Sequence, residues 1–150
     1  VAEYYRVLAL FAAGHYEGAR AAGETFLDMH PEVAIEAEFL PRHAVAAIKE
    51  ILAVSYMTLA EESGIPEARV NVLRNNGLRY AEEAISESPE QVIQPYFFTG
   101  LEAHRRGERT KARERLRMYM ELMDRIPKEQ WSEEDRLSVA EAATILTLLQ

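Results

Sequence analysis

The strongest concentration of chemically active side chains is a run of bases between residues 105 and 117. Seven of these 13 residues are basic: Arg105, Arg106, Arg109, Lys111, Arg113, Arg115 and Arg117. Such a cluster could bind an acidic peptide or a phosphate group through charge-assisted hydrogen bonds. Glu102 lies four residues before Arg106, a spacing at which opposite charges attract on a helix. Two interpretations stay open, with single-stranded nucleic-acid binding a weaker third because no aromatic residues are interleaved in the run. One is a solvated helix face with ion pairs, which is favoured. The other is an anion or acidic-partner patch formed by Arg105, Arg106, Arg109, Arg113 and Arg117.

The sequence lacks the motifs of common enzyme classes. It has no G-x-S-x-G elbow, no phosphate-binding loop and no dinucleotide fingerprint. Cys is absent, which excludes thiol nucleophiles and Cys-ligated metals. None of the four His residues lies three or four residues from another. We therefore predict a protein that is not an enzyme and that needs no metal or other cofactor.

The net charge and the hydropathy pattern restrict the partners. The formal charge at pH 7 is −8, from 25 acidic and 17 basic residues. Nucleic-acid-binding proteins usually carry a basic excess, so we expect no nucleic-acid partner. No apolar run approaches the roughly 20 residues needed to span a bilayer, so we expect no membrane span in this segment. We favour a cytoplasmic location. The start at Val1 rather than Met indicates a fragment of a longer protein and leaves an upstream signal or anchor open.

Apolar side chains recur at helical spacing along almost the whole chain, and strand signals are nearly absent. Three glycines each follow a helical run and open a short turn: Gly14, Gly64 and Gly107. Three prolines each close a second helix: Pro31, Pro89 and Pro127. The pattern predicts seven helices, over about residues 2–13, 16–29, 42–62, 66–86, 92–106, 110–125 and 132–149. Pro41 marks the first turn of the third helix, after a ragged helical lead-in from Pro31, and Asn75-Asn76-Gly77 is a candidate kink or break in the fourth.

Short turns of this kind join antiparallel helices. We therefore predict one all-α domain over residues 1–150, with helix–turn–helix pairs at about 2–31, 42–89 and 92–127 and a further helix at 132–149. Ser132 and Asp135 have the spacing of a capping box at the start of that last helix. Its apolar residues are spread too widely for a single stripe. We expect it to be the first helix of a fourth pair, with an exposed flank that supports weak homo-oligomer formation.

The first and third pairs share a sequence motif. Residues 14–19 (GHYEGA) align with residues 107–112 (GERTKA), with Gly at the turn and Ala five residues later. The Gly permits a tight turn, and the small Ala permits a close approach of the two helices. We therefore predict that Ala19 and Ala112 are buried where the paired helices meet.

These residues resemble the tetratricopeptide repeat (TPR) family. The matching positions are Gly14, Tyr16, Ala19, Phe26, Leu27 and Pro31, and then Tyr96, Gly100, Gly107 and Ala112. The resemblance covers about half the chain. Arg109 stands where the family has an aromatic residue, Pro127 comes about one turn late, and the middle pair departs from the 34-residue repeat. The resemblance implies pairs stacked as a right-handed superhelix, or solenoid.

In the TPR family the first helix of each pair lines a concave groove. The resemblance therefore implies partner-binding residues on the first and third pairs: Tyr4, Leu8, Phe11, Phe97, Leu101 and His104. In the middle pair it implies Ser55, Tyr56 and Leu59. The alternative is that these side chains are core. By the same resemblance the protein is a non-catalytic module whose groove binds a peptide or protein. A helical regulatory or sensor segment of a larger enzyme, with its catalytic part outside this chain, is the alternative.

Overall fold

A computed structural model describes residues 2–33 and 43–150. In these ranges the chain forms seven α-helices and one short 3-10 helix (Lys128–Gln130), and no β-strand. The α-helices are α1 (Ala2–Ala12), α2 (Tyr16–Val33), α3 (Ala44–Ala60), α4 (Glu67–Glu87), α5 (Gln94–Arg105), α6 (Arg109–Asp124) and α7 (Glu133–Leu148). The predicted all-α fold is confirmed. The predicted lead-in to α3, with Pro41, lies outside the described residues.

The helices form two compact units, Val1–Val92 and Ile93–Gln150. In the first unit α2 packs against both α1 and α3, and α4 packs against α3. In the second unit α5 packs against α6, and both contact α7. Helices that are neighbours in the sequence are therefore also packed neighbours, as expected of a repeat-like helical fold.

The turns after α1 and α5 have the same geometry. Gly14 and Gly107, which are 93 residues apart, both have a φ of 78°. In each turn the Gly N–H donates to the carbonyl three residues earlier, and the next N–H donates to the carbonyl five residues earlier. The N···O distances are 3.0 and 2.9 Å after α1 and 3.0 and 2.8 Å after α5. This is the Schellman pattern, which satisfies the last carbonyls of a helix and needs a left-handed residue at the glycine position.

The two predicted contact alanines lie in the first turn of the second helix of each pair. Ala19 and Ala112 are completely buried. Each donates its backbone N–H to the residue just after the turn glycine, His15 at 2.8 Å and Glu108 at 2.9 Å. The prediction that these two alanines are buried is confirmed, and the 93-residue offset relates the two pairs position by position.

The predicted kink or break at Asn75-Asn76-Gly77 is wrong as a break, because α4 is one continuous helix from Glu67 to Glu87. Gly77 is buried, and a Cβ atom there would lie 3.1 Å from Met57 Cγ and 3.2 Å from Tyr56 Cβ. The missing side chain therefore allows α4 to approach α3 closely.

Other helix ends follow their local signals. Ser132 accepts a hydrogen bond from the Asp135 N–H at 3.0 Å, and Asp135 accepts one from the Ser132 N–H at 2.9 Å, so the predicted capping box is present. α4 ends just before Pro89, as predicted. α2 extends to Val33, two residues beyond the proline predicted to close it.

Candidate functional site

The six predicted groove residues form three pairs related by the 93-residue offset, and each pair has matching burial. Tyr4 and Phe97 are both buried. Leu8 and Leu101 are both half-buried, and so are Phe11 and His104. The first helices of the two units therefore present the same pattern: one core position and two partly accessible positions.

Tyr4 and Phe97 belong to the core of their units. The Tyr4 ring lies 6.0 Å from the Phe26 ring, centre to centre, and the Phe97 ring lies 5.1 Å from the Tyr119 ring. Phe26 and Tyr119 are again 93 residues apart and are both almost fully buried. Each first helix is thus held to its second helix by an aromatic pair, and truncating either buried ring would cost folding stability of about 3–5 kcal/mol.

The accessible part of the predicted groove is smaller than the sequence suggests. Within the first unit the partly accessible groove residues are Leu8 and Phe11, and within the second unit they are Leu101 and His104. In the first unit, the ring of Tyr16 packs edge-on against the ring of Phe11, with ring centres 5.9 Å apart. The middle-pair candidates Ser55, Tyr56 and Leu59 are all buried.

A polar network that the sequence analysis missed joins α2, α3 and α4. The Glu24 carboxylate accepts hydrogen bonds from the Tyr56 hydroxyl at 2.6 Å and from the Tyr80 hydroxyl at 3.3 Å. Arg20 also donates to Glu24, at 2.6 Å. The two tyrosine rings are stacked, with centres 5.9 Å apart, and the Arg79 guanidinium lies 4.3 Å from the centre of the Tyr80 ring.

Both tyrosines in this network keep their protons far into the alkaline range. Burial, and then the hydrogen bond to Glu24, raise the pKa of Tyr56 to about 12. Burial also raises the pKa of Tyr80. Neutral phenols that donate to a carboxylate form a structural link between three helices.

The contact between α3 and α4 also includes an ion-pair cluster. Lys49 on α3, whose side chain is only 12% exposed, pairs with Glu83 at 3.0 Å and with Glu87, both on α4. At the end of the same contact, His43 Nδ1 lies 2.8 Å from the Ser88 hydroxyl. Ion pairs and a hydrogen bond therefore accompany the apolar packing of this helix pair.

In the basic run, two of the five patch residues are paired with one carboxylate. Glu102 is 8% exposed and accepts hydrogen bonds from Arg105 and Arg106. The Arg105 hydrogen bond is the largest contribution that lowers the pKa of Glu102, to about 2. Glu102 is therefore ionised throughout the physiological range, and it offsets part of the positive charge of the run.

The remaining patch residues differ in their surroundings. Arg113 donates to the carbonyl of Leu149 at 2.9 Å, where it satisfies an acceptor at the end of α7. Arg109 and Arg117 are the two of the five patch residues that are exposed and have no ion pair within residues 2–33 and 43–150.

The candidate site consists of side chains on the surfaces of helices. In the described part of the chain, no group of three or more His, Asp or Glu side chains could hold a metal ion. Within the same residues, none of the helices is long and apolar enough to cross a membrane. The class that the fold defines is an all-α protein of packed helix–turn–helix pairs. Comparisons with protein-family models, curated proteins and solved structures find no match.

Proposed function

We propose that the protein is a non-catalytic, TPR-like interaction module whose first helices bind a peptide or protein partner. One observation supports this proposal. Partly exposed apolar side chains recur at equivalent places on α1 and α5, where Leu8 corresponds to Leu101. Beneath each leucine the helix is held by a buried aromatic pair and ends in the same Schellman turn. The exposed part of each leucine is not covered within the described residues, so it is accessible to a partner.

The binding mechanism follows from the rigidity of the helices. Because the contact residues are fixed by packed helices, binding a partner orders few additional side chains, and little conformational entropy is lost. Leu8 and Leu101 supply apolar area, while Phe11 and His104 supply partly exposed rings one turn further along. Arg109 and Arg117 add positive charge, which would favour partners with acidic residues.

The proposal can be tested by selecting peptides from a random displayed library on the whole chain. The affinities of the enriched peptides are then measured by fluorescence anisotropy. We expect Leu8→Ala and Leu101→Ala each to weaken binding at least about fivefold, while thermal unfolding followed by circular dichroism shows that both variants stay folded. Val72→Ala is the matched control, because Val72 is 51% exposed and lies on α4, a second helix.

The outcomes separate the alternatives clearly. Enriched peptides that bind both leucine variants as tightly as the wild type would contradict the proposed groove. Arg109→Glu and Arg117→Glu, which leave the leucines intact, test the charge preference. Both substitutions should selectively weaken the binding of acidic peptides. The affinity of the wild type for those peptides should also fall as salt concentration rises.

A further inference from the structure

One face of α7 remains open. Ala142 and Ile145 are buried against the rest of the second unit, whereas Leu137 and Leu148 are 64% and 65% exposed. The exposed residues Ala140, Glu141 and Thr144 lie between the two leucines. Spacings of three, four and seven residues place these side chains along one stripe of the helix. The open face, defined as Leu137, Ala140, Glu141, Thr144 and Leu148, is mainly apolar with a single charge.

α1 exposes a face of the same type. Tyr4 and Val7 are buried on its inner side. The outer face consists of Ala2, Tyr5, Ala9 and Ala12, which are all exposed, with Tyr5 52% exposed. Their spacing of three, four and three residues forms a narrow stripe like the seam of a helix pair. One charged residue, Arg6, lies beside this outer face and is also exposed.

The two faces differ in side-chain size and carry opposite charges. Three alanines on α1 leave room for the leucine side chains of α7, since facing surfaces pack best when large residues meet small ones. Arg6 is positive and Glu141 is negative, and each lies beside its apolar stripe. Neither residue forms an ion pair with any residue in the described ranges. Joining the faces would bury the exposed leucines and Tyr5 and would pair both charges.

The first unit contains a contact of the same kind. α3 packs on α2 and α1 in the way that α7 packs on α6 and α5. In addition, α3 is covered by α4 through buried Leu73, Gly77 and Tyr80, with Lys49 paired to glutamates across the contact. α3 therefore holds the position in the first unit that α7 holds in the second. Unlike α7, α3 is covered by a further helix, α4, and an ion pair joins the two.

We infer that the open face of α7 binds the outer face of α1 in a second copy of this chain, with Arg6 of one copy paired to Glu141 of the other. This contact goes beyond the proposed groove and uses none of its four accessible residues. Because the two faces differ, each bound copy keeps one face free, so assembly continues head to tail as an open chain or closes as a ring. The contact is small and the net charge of −8 is repulsive, so association is weak and depends on concentration.

Sedimentation velocity of the full chain over a concentration series tests this inference. We expect the wild type to sediment faster as concentration rises. Arg6→Glu and Glu141→Arg should each raise the dissociation constant about fivefold to tenfold. The double variant carrying both changes should restore wild-type association, because the charges are exchanged across the contact. Arg69→Glu and Glu121→Arg are the matched controls at exposed positions of α4 and α6, and they should have little effect.

Net charge alone predicts a different pattern. Glu141→Arg makes the chain less negative and would strengthen association if overall repulsion governed it, whereas the specific pairing requires that it weaken association. An equimolar mixture of the two single variants should associate more strongly than either alone, since each then meets the opposite charge. A wild type that stays monomeric throughout, an Arg6→Glu variant that associates normally through an α7–α7 contact, or a double variant that is not restored would each overturn the inference.

Discussion

Gly100 on α5 lies directly against Leu116 on α6: a Cβ atom on the glycine would lie 2.6 Å from Leu116 Cδ2 and 2.7 Å from Cγ. Leu116 is completely buried. The positions 93 residues earlier are Val7 and Gly23, so the larger residue stands on the first helix of the first pair and on the second helix of the other. In the first unit the close approach of the glycine is to α3 instead, because a Cβ atom on Gly23 would lie 2.9 Å from Leu52 Cδ2.

This contact makes Gly100→Ala destabilising, although alanine is the better helix former. The added methyl group meets the branch point of a buried leucine, and we expect a loss of about 1–3 kcal/mol in the free energy of unfolding, measured by urea denaturation. Gly18→Ala is the control, because its Cβ would meet no atom closer than Leu10 Cδ2 at 3.4 Å. An unchanged midpoint for Gly100→Ala would contradict the close approach of α5 and α6.

The alanines after the two turns should tolerate enlargement equally poorly. Ala19→Leu and Ala112→Leu each force three extra carbon atoms into a fully buried helix contact, with an expected cost of roughly 1–3 kcal/mol. The exposed Ala21→Leu on α2 provides the comparison. Thermal midpoints that stay at the wild-type value for both buried variants would disprove the alignment of the two pairs.

The pairing of Glu102 gives a specific pH dependence. Because its pKa is lowered from 4.5 to about 2 in the folded state, its contribution to stability is fully present above pH 4.5 and is lost as the pH falls towards 2. Glu102→Gln removes this contribution, at a cost at neutral pH of no more than about 1 kcal/mol because both arginines are exposed. The stability difference between wild type and variant should therefore shrink over that acidic interval. The interval of the pKa shift runs from about pH 5 to about pH 2. A difference in unfolding free energy that stays constant over this interval would show that the arginines do not stabilise the ionised form of Glu102.

The stabilising contribution of the network around Glu24 can be measured separately for its two tyrosine hydroxyls. Tyr56→Phe removes a hydrogen bond of 2.6 Å to a carboxylate and should lower the free energy of unfolding by about 1–2 kcal/mol. Tyr80→Phe removes a hydrogen bond of 3.3 Å and should cost less, while both variants keep the stacked rings. Equal losses of unfolding free energy for the two variants in urea denaturation would mean that the surroundings of the rings, rather than the hydrogen bond to Glu24, determine the loss.

The features that the sequence predicted correctly depend on signals within a few residues. A glycine at a turn, an alanine five residues later and a serine three residues before an aspartate each act through local backbone geometry, so Gly107, Ala112 and the capping box could be recognised. The attraction between Glu102 and Arg106 is also a local spacing, and the structure contains it.

The features that the sequence did not reveal depend on residues that are distant along the chain. Glu24 meets Tyr56 and Tyr80 across 32 and 56 residues, and nothing in the spacing announces this contact. Periodicity places Tyr4 and Leu8 on neighbouring parts of one helix face, yet only the position of Phe26 decides that Tyr4 is core. Gly77 resembles a helix breaker until Met57 is seen packed against it.

The pairing of sequence neighbours within each unit also determines the order in which the protein can fold during its synthesis. The second helix of each pair has a packing partner that has already been made, because α2 follows α1, α4 follows α3 and α6 follows α5. Short loops close quickly and at low entropic cost, so such contacts form without a long search. The residues of the first unit leave the ribosome before α7 is translated. A nascent chain can therefore bury Phe26 and Leu52 while its remaining helices are still unmade.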